Sequence, residues 1–248
     1  MNEGIQSLYY RSLRRFRWLL APVVLGQHPA VVEYLVHRYG GDSERVLDLG
    51  ARRSPYTSNL RGLVVGLDLP AEDDARLGFS AESLDRFTRG RHMAVFGRGE
   101  AMPFPDEYFD TVLMIEVVEH VEGDEAAMSE IRRVLKPGGA LVLTTPNGAT
   151  FPEPAKYHLR HYTPEGLRGL VDRHLRVEHL WQLFPDGPLW AESTRSVQRM
   201  LKQGQHLRLV VHCAAVWLYW LQTLAWMAAR QGRSTTTLFL VARKAGEA

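Results

Sequence analysis

Two short apolar runs with a helical segment between them organise the middle of the chain. The runs DTVLMIE and GALVLTT are rich in Val, Leu, Ile and Thr and alternate little with polar residues. Strands buried on both faces of a parallel sheet have this pattern. Between them, Asp124–Leu135 places Ile131, Val134 and Leu135 on one helical face, with Asp124 as the predicted N-cap. The stretch therefore predicts a strand, a helix and a parallel strand joined by a right-handed crossover.

The same patterns elsewhere predict the rest of an α/β sheet. Turn residues bound these segments: the KPGG motif at Lys136–Gly139 predicts a tight turn after the helix, and Thr163 with Pro164 predicts the start of another helix. Further strands are predicted at Arg45–Leu49, Gly62–Leu69, Met93–Phe96, Leu175–Leu183 and Thr235–Arg243, with helices at Pro29–Tyr39 and Ala81–Thr88.

Three regions follow from this reading. Residues 1–44 are predicted to form an N-terminal helical cap, residues 45–184 with 235–248 the α/β domain, and residues 185–234 a helical insertion before the last strand. Within the cap, Ile5–Leu25 mixes arginines with aromatic residues. It can be a helix packed on the domain with solvated arginines, or a helix that covers the substrate or a membrane surface.

The insertion contains an apolar run, Leu209–Ala229, that carries no formal charge. Its length would cross a bilayer core, yet the final strand must return to the same sheet. Arginines and a lysine flank the run, and no Asp or Glu occurs from Ser193 to Gly246. This pattern favours a helix lying in an anionic membrane face, with peripheral contact through residues 207–231. A helix packed in the core or in a homodimer, and a true membrane span, are the alternatives.

Composition narrows the class of protein. The net charge of +2 over 248 residues does not indicate a nucleic-acid partner. A single cysteine, Cys213, excludes an intrachain disulfide framework and fits a reducing compartment. The N-terminus lacks the pattern of a signal peptide, and no Cys/His cluster indicates a metal. We expect a cytoplasmic protein, or one peripheral at the inner face of the membrane.

The central stretch resembles a known family. The run GEAMPFPDEYFDTVLMIEVVEHV, followed by EIRRVLKPGGALVLTTPN, is similar to the class I S-adenosylmethionine-dependent methyltransferases, in particular the group acting on small molecules, quinones, lipids and sugars. The likeness extends over roughly Arg45–Leu183. It implies a Rossmann-like sheet of seven strands, mostly parallel with an antiparallel last strand and flanked by helices. It also implies S-adenosylmethionine as the cofactor and methyl transfer as the activity.

The cofactor residues implied by the resemblance lie after the first four strands. After the first strand, the family's D-x-G-x-G-x-G loop keeps only Gly50, because Arg52 and Ser54 replace the later glycines. Either these two side chains contact the cofactor's carboxylate, or the pocket is degenerate. An acidic residue at the tip of the second strand can bind ribose hydroxyls. The predicted cofactor-binding residues are Asp48, Gly50, Arg52, Ser54, Asp68, Leu69, Glu100, Ala101 and Glu116.

Three histidines are candidates for removing a proton from the acceptor. His120 follows the fourth strand in EVVEHV, and His158 with His161 lies in a loop rich in His and Tyr before a predicted helix. Histidine has a suitable intrinsic pKa for a general base. Packing or surface positions are the alternatives, and Glu116 or Glu119 could serve as the base instead. We predict methylation of a small or lipid-linked acceptor, at a hydroxyl and without a metal. The alternative is a catalytically inactive binding or scaffold protein of the same fold.

Overall fold

The computed structural model describes residues 27–70, 92–185 and 235–246, with isolated positions 79, 84, 87, 214, 218 and 221. The chain divides into two compact units, one of Met1–Tyr34 with Phe184–Arg233 and one of Leu35–Leu183 with Ser234–Ala248. The predicted helix at Ile5–Leu25 and most of those at Ala81–Thr88 and Leu209–Ala229 lie outside the described residues. Across the described ranges, no helix combines the length and apolar character needed to cross a membrane.

The second unit contains a seven-stranded sheet in the order β3-β2-β1-β4-β5-β7-β6. Four strand pairs are parallel, β1 with β2, β1 with β4, β2 with β3 and β4 with β5, whereas β7 runs antiparallel to β5. The predicted fold class is therefore confirmed. The strands are β1 Arg45–Leu49, β2 Leu63–Asp68, β3 His92–Phe96, β4 Phe109–Ile115, β5 Leu135–Pro146, β6 Arg176–Pro185 and β7 Thr235–Arg243.

Three α-helices and two 3₁₀ turns complete the described elements. They are α1 Gln27–Gly40, α2 Asp124–Val134, α3 Pro164–Asp172, and the 3₁₀ turns Ala51–Arg53 and Val118–His120. Helix α3 begins as predicted, because the Gly166 amide donates to Thr163 Oγ1 at 3.1 Å.

The predicted N-cap of α2 is wrong. Gly123 occupies that position and makes no side-chain capping bond. The Asp124 carboxylate instead accepts a hydrogen bond from the Tyr162 hydroxyl at 2.7 Å and pairs with Arg160 at 2.8 Å. These contacts come from residues far along the chain, so the local sequence could not reveal them.

The sheet core consists of the predicted apolar runs. Phe109, Met114 and Leu141 are fully buried, and α2 covers them with Met128 and Ile131 from one face. Burying each such side chain contributes about 1.5–3 kcal/mol. This burial fixes the positions of β1, β2, β4 and β5, whose ends carry the polar residues of the site.

The turn predicted at Lys136–Gly139 is wrong, because this segment lies within β5. Phe109 pairs with Leu135, and Thr111 pairs with Ala140, so the register shifts between the two pairs. The shift lets the segment bulge without leaving the sheet. Gly138 has a φ of 75°, which glycine adopts readily, and its carbonyl accepts a hydrogen bond from Arg243.

Candidate active site

A cavity of about 440 Å³ opens beyond the carboxyl ends of β1, β2 and β4. This is where open α/β sheets bind ligands. Of the predicted site residues, Gly50, Arg52, Asp68, Leu69, Glu100, Glu116 and His120 line the cavity. Further residues that were not predicted also line the cavity. All of them lie at or near the ends of these strands, which is the feature that could have identified them: Leu49, Leu67, Gly97, Arg98, Gly99, Met114, Val117 and Val121.

The loop that follows β1 requires a glycine at its first residue, Gly50. Gly50 has a φ of 69°, and a Cβ placed there would lie 2.4 Å from Val117 Cγ2. A side chain at this position would therefore collide with the wall of the cavity and strain the backbone. The loop then continues as the 3₁₀ turn Ala51–Arg53, which brings Arg52 to the cavity.

Arg52 fits the carboxylate of S-adenosylmethionine. Its side chain lines the cavity, and within the part of the chain that the structure describes its Nη1 is buried without a hydrogen-bond partner. A buried guanidinium nitrogen with no partner is costly, and an anionic ligand group would satisfy it. The loop residues therefore suit the cofactor although the later glycines are absent.

Asp68 is held in place by two backbone amides. Oδ1 accepts from Leu69 at 2.8 Å, and Oδ2 accepts from Arg52 at 3.1 Å. Each carboxylate oxygen keeps a further lone pair, which can accept from a ribose hydroxyl. Burial raises the pKa of Asp68, and the two backbone hydrogen bonds act in the opposite direction.

The other predicted cofactor residues lie around this centre. Glu100 lines the cavity and pairs with Arg98 at 3.3 Å, whereas Ala101 is exposed and does not line it. Ser54 and Asp48 do not line the cavity. Burial raises the pKa of Asp48 to about 7; the Ser54 hydroxyl lowers it and the charge of Asp68 raises it further.

Glu116 has an unusual backbone conformation directly after β4. Its φ is 55°, a left-handed value that is uncommon for residues other than glycine. Two contacts with Thr144 hold it there, since the Glu116 amide donates to the Thr144 carbonyl at 3.0 Å and the Thr144 hydroxyl donates to Oε1 at 2.7 Å. The glutamate lines the cavity as a result. Such outliers often occur at functional sites.

Glu119 is almost completely buried, with 1% of its surface exposed. The Thr145 hydroxyl donates to Oε2 at 3.0 Å. Burial, followed by the nearby charge of Glu116, raises the pKa of Glu119 to about 8. The segment after β4 thus brings two carboxyl groups close together, one of them buried.

The structure brings the three predicted histidines together. The rings of His120 and His158 meet edge to face at 4.7 Å between centroids, and His158 Nδ1 lies 2.7 Å from His161 Nε2. His120 lines the cavity, whereas His158 and His161 do not. Burial lowers the pKa of His120 and of His158. Neutral imidazoles can accept a proton or bind a metal.

The sequence is similar to known methyltransferases. Residues 47–143 match the family model described as "Methyltransferase domain". The malonyl-[acyl-carrier protein] O-methyltransferase of Methylococcus capsulatus is 28% identical over 179 residues, 68% of this chain and 63% of that protein. The mitochondrial ubiquinone biosynthesis O-methyltransferase of Mus musculus is 32% identical over 144 residues, 56% of this chain and 37% of the relative. The chain thus matches less than two thirds of the length of each relative.

Solved structures share the fold. An S-adenosylmethionine-dependent methyltransferase from Mesorhizobium loti superposes with a TM-score of 0.57 at 15% identity, covering 89% of this chain and 99% of that one. At this level of identity the likeness concerns the fold alone.

Proposed function

We propose that the chain is a class I S-adenosylmethionine-dependent methyltransferase, and that it transfers the cofactor's methyl group to a hydroxyl oxygen of a small or lipid-linked acceptor. One observation carries the proposal. A cluster of proton- and cation-binding groups, Glu116, Glu119, His120 and His158, adjoins the cofactor cavity, which two of its members line.

The cavity residues bind and orient the cofactor in this proposal. S-adenosylmethionine supplies, when bound, a methyl group that its sulfonium sulfur already activates. Asp68 binds the ribose, Glu100 the adenine, and Arg52 the carboxylate. The protein then has to align the acceptor oxygen with the methyl carbon and exclude water.

The proton of a hydroxyl acceptor requires a group to receive it. As the new oxygen–methyl bond forms, the methyl–sulfur bond breaks, its electron pair stays on sulfur, and the hydroxyl proton leaves. A neutral His120 or His158 can accept this proton. His161 orients His158 through the 2.7 Å contact between their ring nitrogens.

Two observations support the acceptor class. Both relatives described above are O-methyltransferases by name, whereas other relatives are C-methyltransferases by name. The name of one of the two O-methyltransferases refers to ubiquinone, a lipid-linked quinone. In the unit that contains the insertion, Leu218 and Leu221 are helical and largely exposed, at 62% and 53%. An apolar surface flanked by basic residues suits a membrane-borne acceptor.

Methyl transfer to defined acceptors tests the proposal. The protein is incubated with methyl-labelled S-adenosylmethionine and a quinol, a phenol, a hydroxylated lipid or a hexose, each paired with its methyl ether as a blocked control. We expect label on at least one free hydroxyl and on none of the ethers. Cofactor binding without transfer to any of them would contradict the proposal and favour the scaffold interpretation.

A further inference from the structure

We propose that Glu119, His120 and His158 bind a divalent transition-metal ion beside the cofactor cavity, and that this ion binds the acceptor oxygen. The metal site rests on geometry alone, and its role in the reaction rests on the function proposed above. This inference revises the sequence-based expectation of a metal-free site.

The three side chains converge from two segments. Glu119 and His120 lie in the 3₁₀ turn after β4, and His158 lies in the loop before α3. One ligand atom from each lies within 4.8 Å of the other two. The Leu159 amide donates to the Glu119 carbonyl at 2.8 Å, so the backbone itself holds the loop against the turn.

Hydrogen bonding fixes which imidazole nitrogens can bind a metal. A carbonyl only accepts, so His120 Nδ1, 2.8 Å from the Tyr157 carbonyl, must carry a proton. His161 Nδ1 must likewise donate to the Phe151 carbonyl at 2.7 Å. In neutral His161 the remaining nitrogen, Nε2, then accepts from His158 Nδ1. His120 and His158 therefore each keep a lone pair on Nε2.

This pattern is the one that metal-binding histidines use. Such a histidine donates its second ring N–H to a backbone carbonyl or another acceptor, which fixes both its tautomer and its orientation. His120 uses a carbonyl for this purpose, and His158 uses His161, which is itself fixed by a carbonyl. Thr145 fixes the third ligand by donating to Glu119 Oε2 at 3.0 Å.

The ligand set indicates the class of metal. Two imidazoles and one carboxylate suit Zn²⁺, Fe²⁺ or Mn²⁺ better than Mg²⁺ or Ca²⁺, which prefer oxygen ligands. Three protein ligands leave a coordination position open, as in catalytic zinc sites.

The open position gives the ion its role. An acceptor hydroxyl oxygen bound to the ion loses its proton more readily, since a bound cation lowers the pKa of a coordinated oxygen. The proton passes to the Glu116 carboxylate at the cavity wall, and the resulting oxygen anion takes the methyl carbon as the methyl–sulfur bond breaks. His120 and His158 then act as ligands rather than as the base.

Isothermal titration of the full chain with Zn²⁺, Mn²⁺ and Mg²⁺ tests the site. We expect one equivalent of Zn²⁺ or Mn²⁺ to bind, with Mg²⁺ weaker, and His120→Ala and His158→Ala to weaken binding at least 10-fold. His158→Gln serves as a second, milder variant, and thermal melting checks the fold of each. His174→Ala is the matched control, since His174 pairs with the exposed Glu125 and does not line the cavity. Wild-type protein without stoichiometric binding, or folded variants binding like wild type, would overturn the site.

Methyl transfer in a chelator separates this inference from the proposed function. Loss of transfer in a chelator, restored by Zn²⁺ or Mn²⁺, supports the ion's role. Transfer that continues unchanged in the chelator rejects that role and leaves the proposed function standing. Stoichiometric metal binding in a protein that transfers no methyl group supports the site and rejects the function.

Discussion

Arg52 combines two contacts at the centre of the cofactor cavity. Its backbone amide orients Asp68, and its buried guanidinium has a nitrogen without a partner among the described residues. We expect Arg52→Ala to weaken S-adenosylmethionine binding by about 1.5–3 kcal/mol, the scale of a hydrogen bond to a charged group. Binding of 5′-methylthioadenosine, which lacks the carboxylate, should change little. Calorimetry with both ligands checks this, and equal losses for the two would contradict the assigned contact.

Asp68 is predicted to bind the ribose hydroxyls. Asp68→Ala should weaken S-adenosylmethionine binding by about 1–3 kcal/mol in the same titration, because charge-assisted hydrogen bonds are lost. Asp106→Ala is the control, since Asp106 lies before β4 and pairs with Arg133 rather than lining the cavity. Unchanged affinity in the Asp68 variant would remove this residue from the binding site.

Asp48 gives the fold a dependence on pH. The pKa of Asp48 is about 7 in the folded protein and 3.8 in a model peptide. At a pH between these two values, Asp48 is protonated in the folded state and ionised in the unfolded state. The free energy of unfolding therefore falls as pH rises from about 4 to 7, by up to about 4 kcal/mol from this group, and levels off above.

Asp48→Asn isolates this effect, because asparagine stays neutral and has a similar shape. Urea unfolding from pH 4.5 to 8 should show the variant gaining stability relative to wild type as pH rises. Parallel curves for the two proteins would show that Asp48 is not the group responsible.

At the scale of elements, Arg133 attaches α2 to the turn that leads into β4. Its guanidinium donates to the carbonyls of Phe104 and Met102, at 2.7 and 3.0 Å, and pairs with Asp106 and Glu130. Arg133→Ala should lower the free energy of unfolding by about 1–3 kcal/mol, because these carbonyls lose their donor. Arg132→Ala, exposed on the same helix, should change it by less than about 0.5 kcal/mol. Equal effects in denaturant melts would contradict this account.

The elements could be predicted where their cause is local. The apolar runs gave β1 and β7 with their observed bounds, because burial on both faces leaves a continuous pattern in the sequence. The bulge at Lys136–Gly139 depends on the register of β5 against β4. The role of Asp124 depends on Tyr162, which is 38 residues away along the chain. Neither β4, in the case of the bulge, nor Tyr162, in the case of Asp124, lies in the local sequence.

The site residues also divide into those with a local signal in the sequence and those that depend on distant residues. Strand ends and the family resemblance led to Asp68, Glu116 and His120, all of which line the cavity. The proposed metal site could not be foreseen, because it depends on the tautomers that the carbonyls of Tyr157 and Phe151 impose on the histidines. Such long-range hydrogen bonds leave no periodic signal.

At the scale of the whole molecule, the apolar insertion is the feature that a plain methyltransferase domain would not need. We expect the protein to sediment with anionic liposomes and to be released by high salt, since each basic residue near such a surface contributes about 1 kcal/mol. Replacing Trp217 and Trp220 by Glu should abolish sedimentation, whereas Met93→Glu, at an exposed position of the sheet, should not. A stable dimer in detergent-free buffer without liposome binding would instead favour the dimer interpretation.

The central claim is that the cavity beyond β1, β2 and β4 is a working cofactor site despite the loss of two glycines after Gly50. Isothermal titration of the wild-type protein with S-adenosylmethionine tests it most directly. The account predicts saturable binding at one molecule per chain, with S-adenosylhomocysteine competing for the same site. Absence of binding at millimolar cofactor would contradict it.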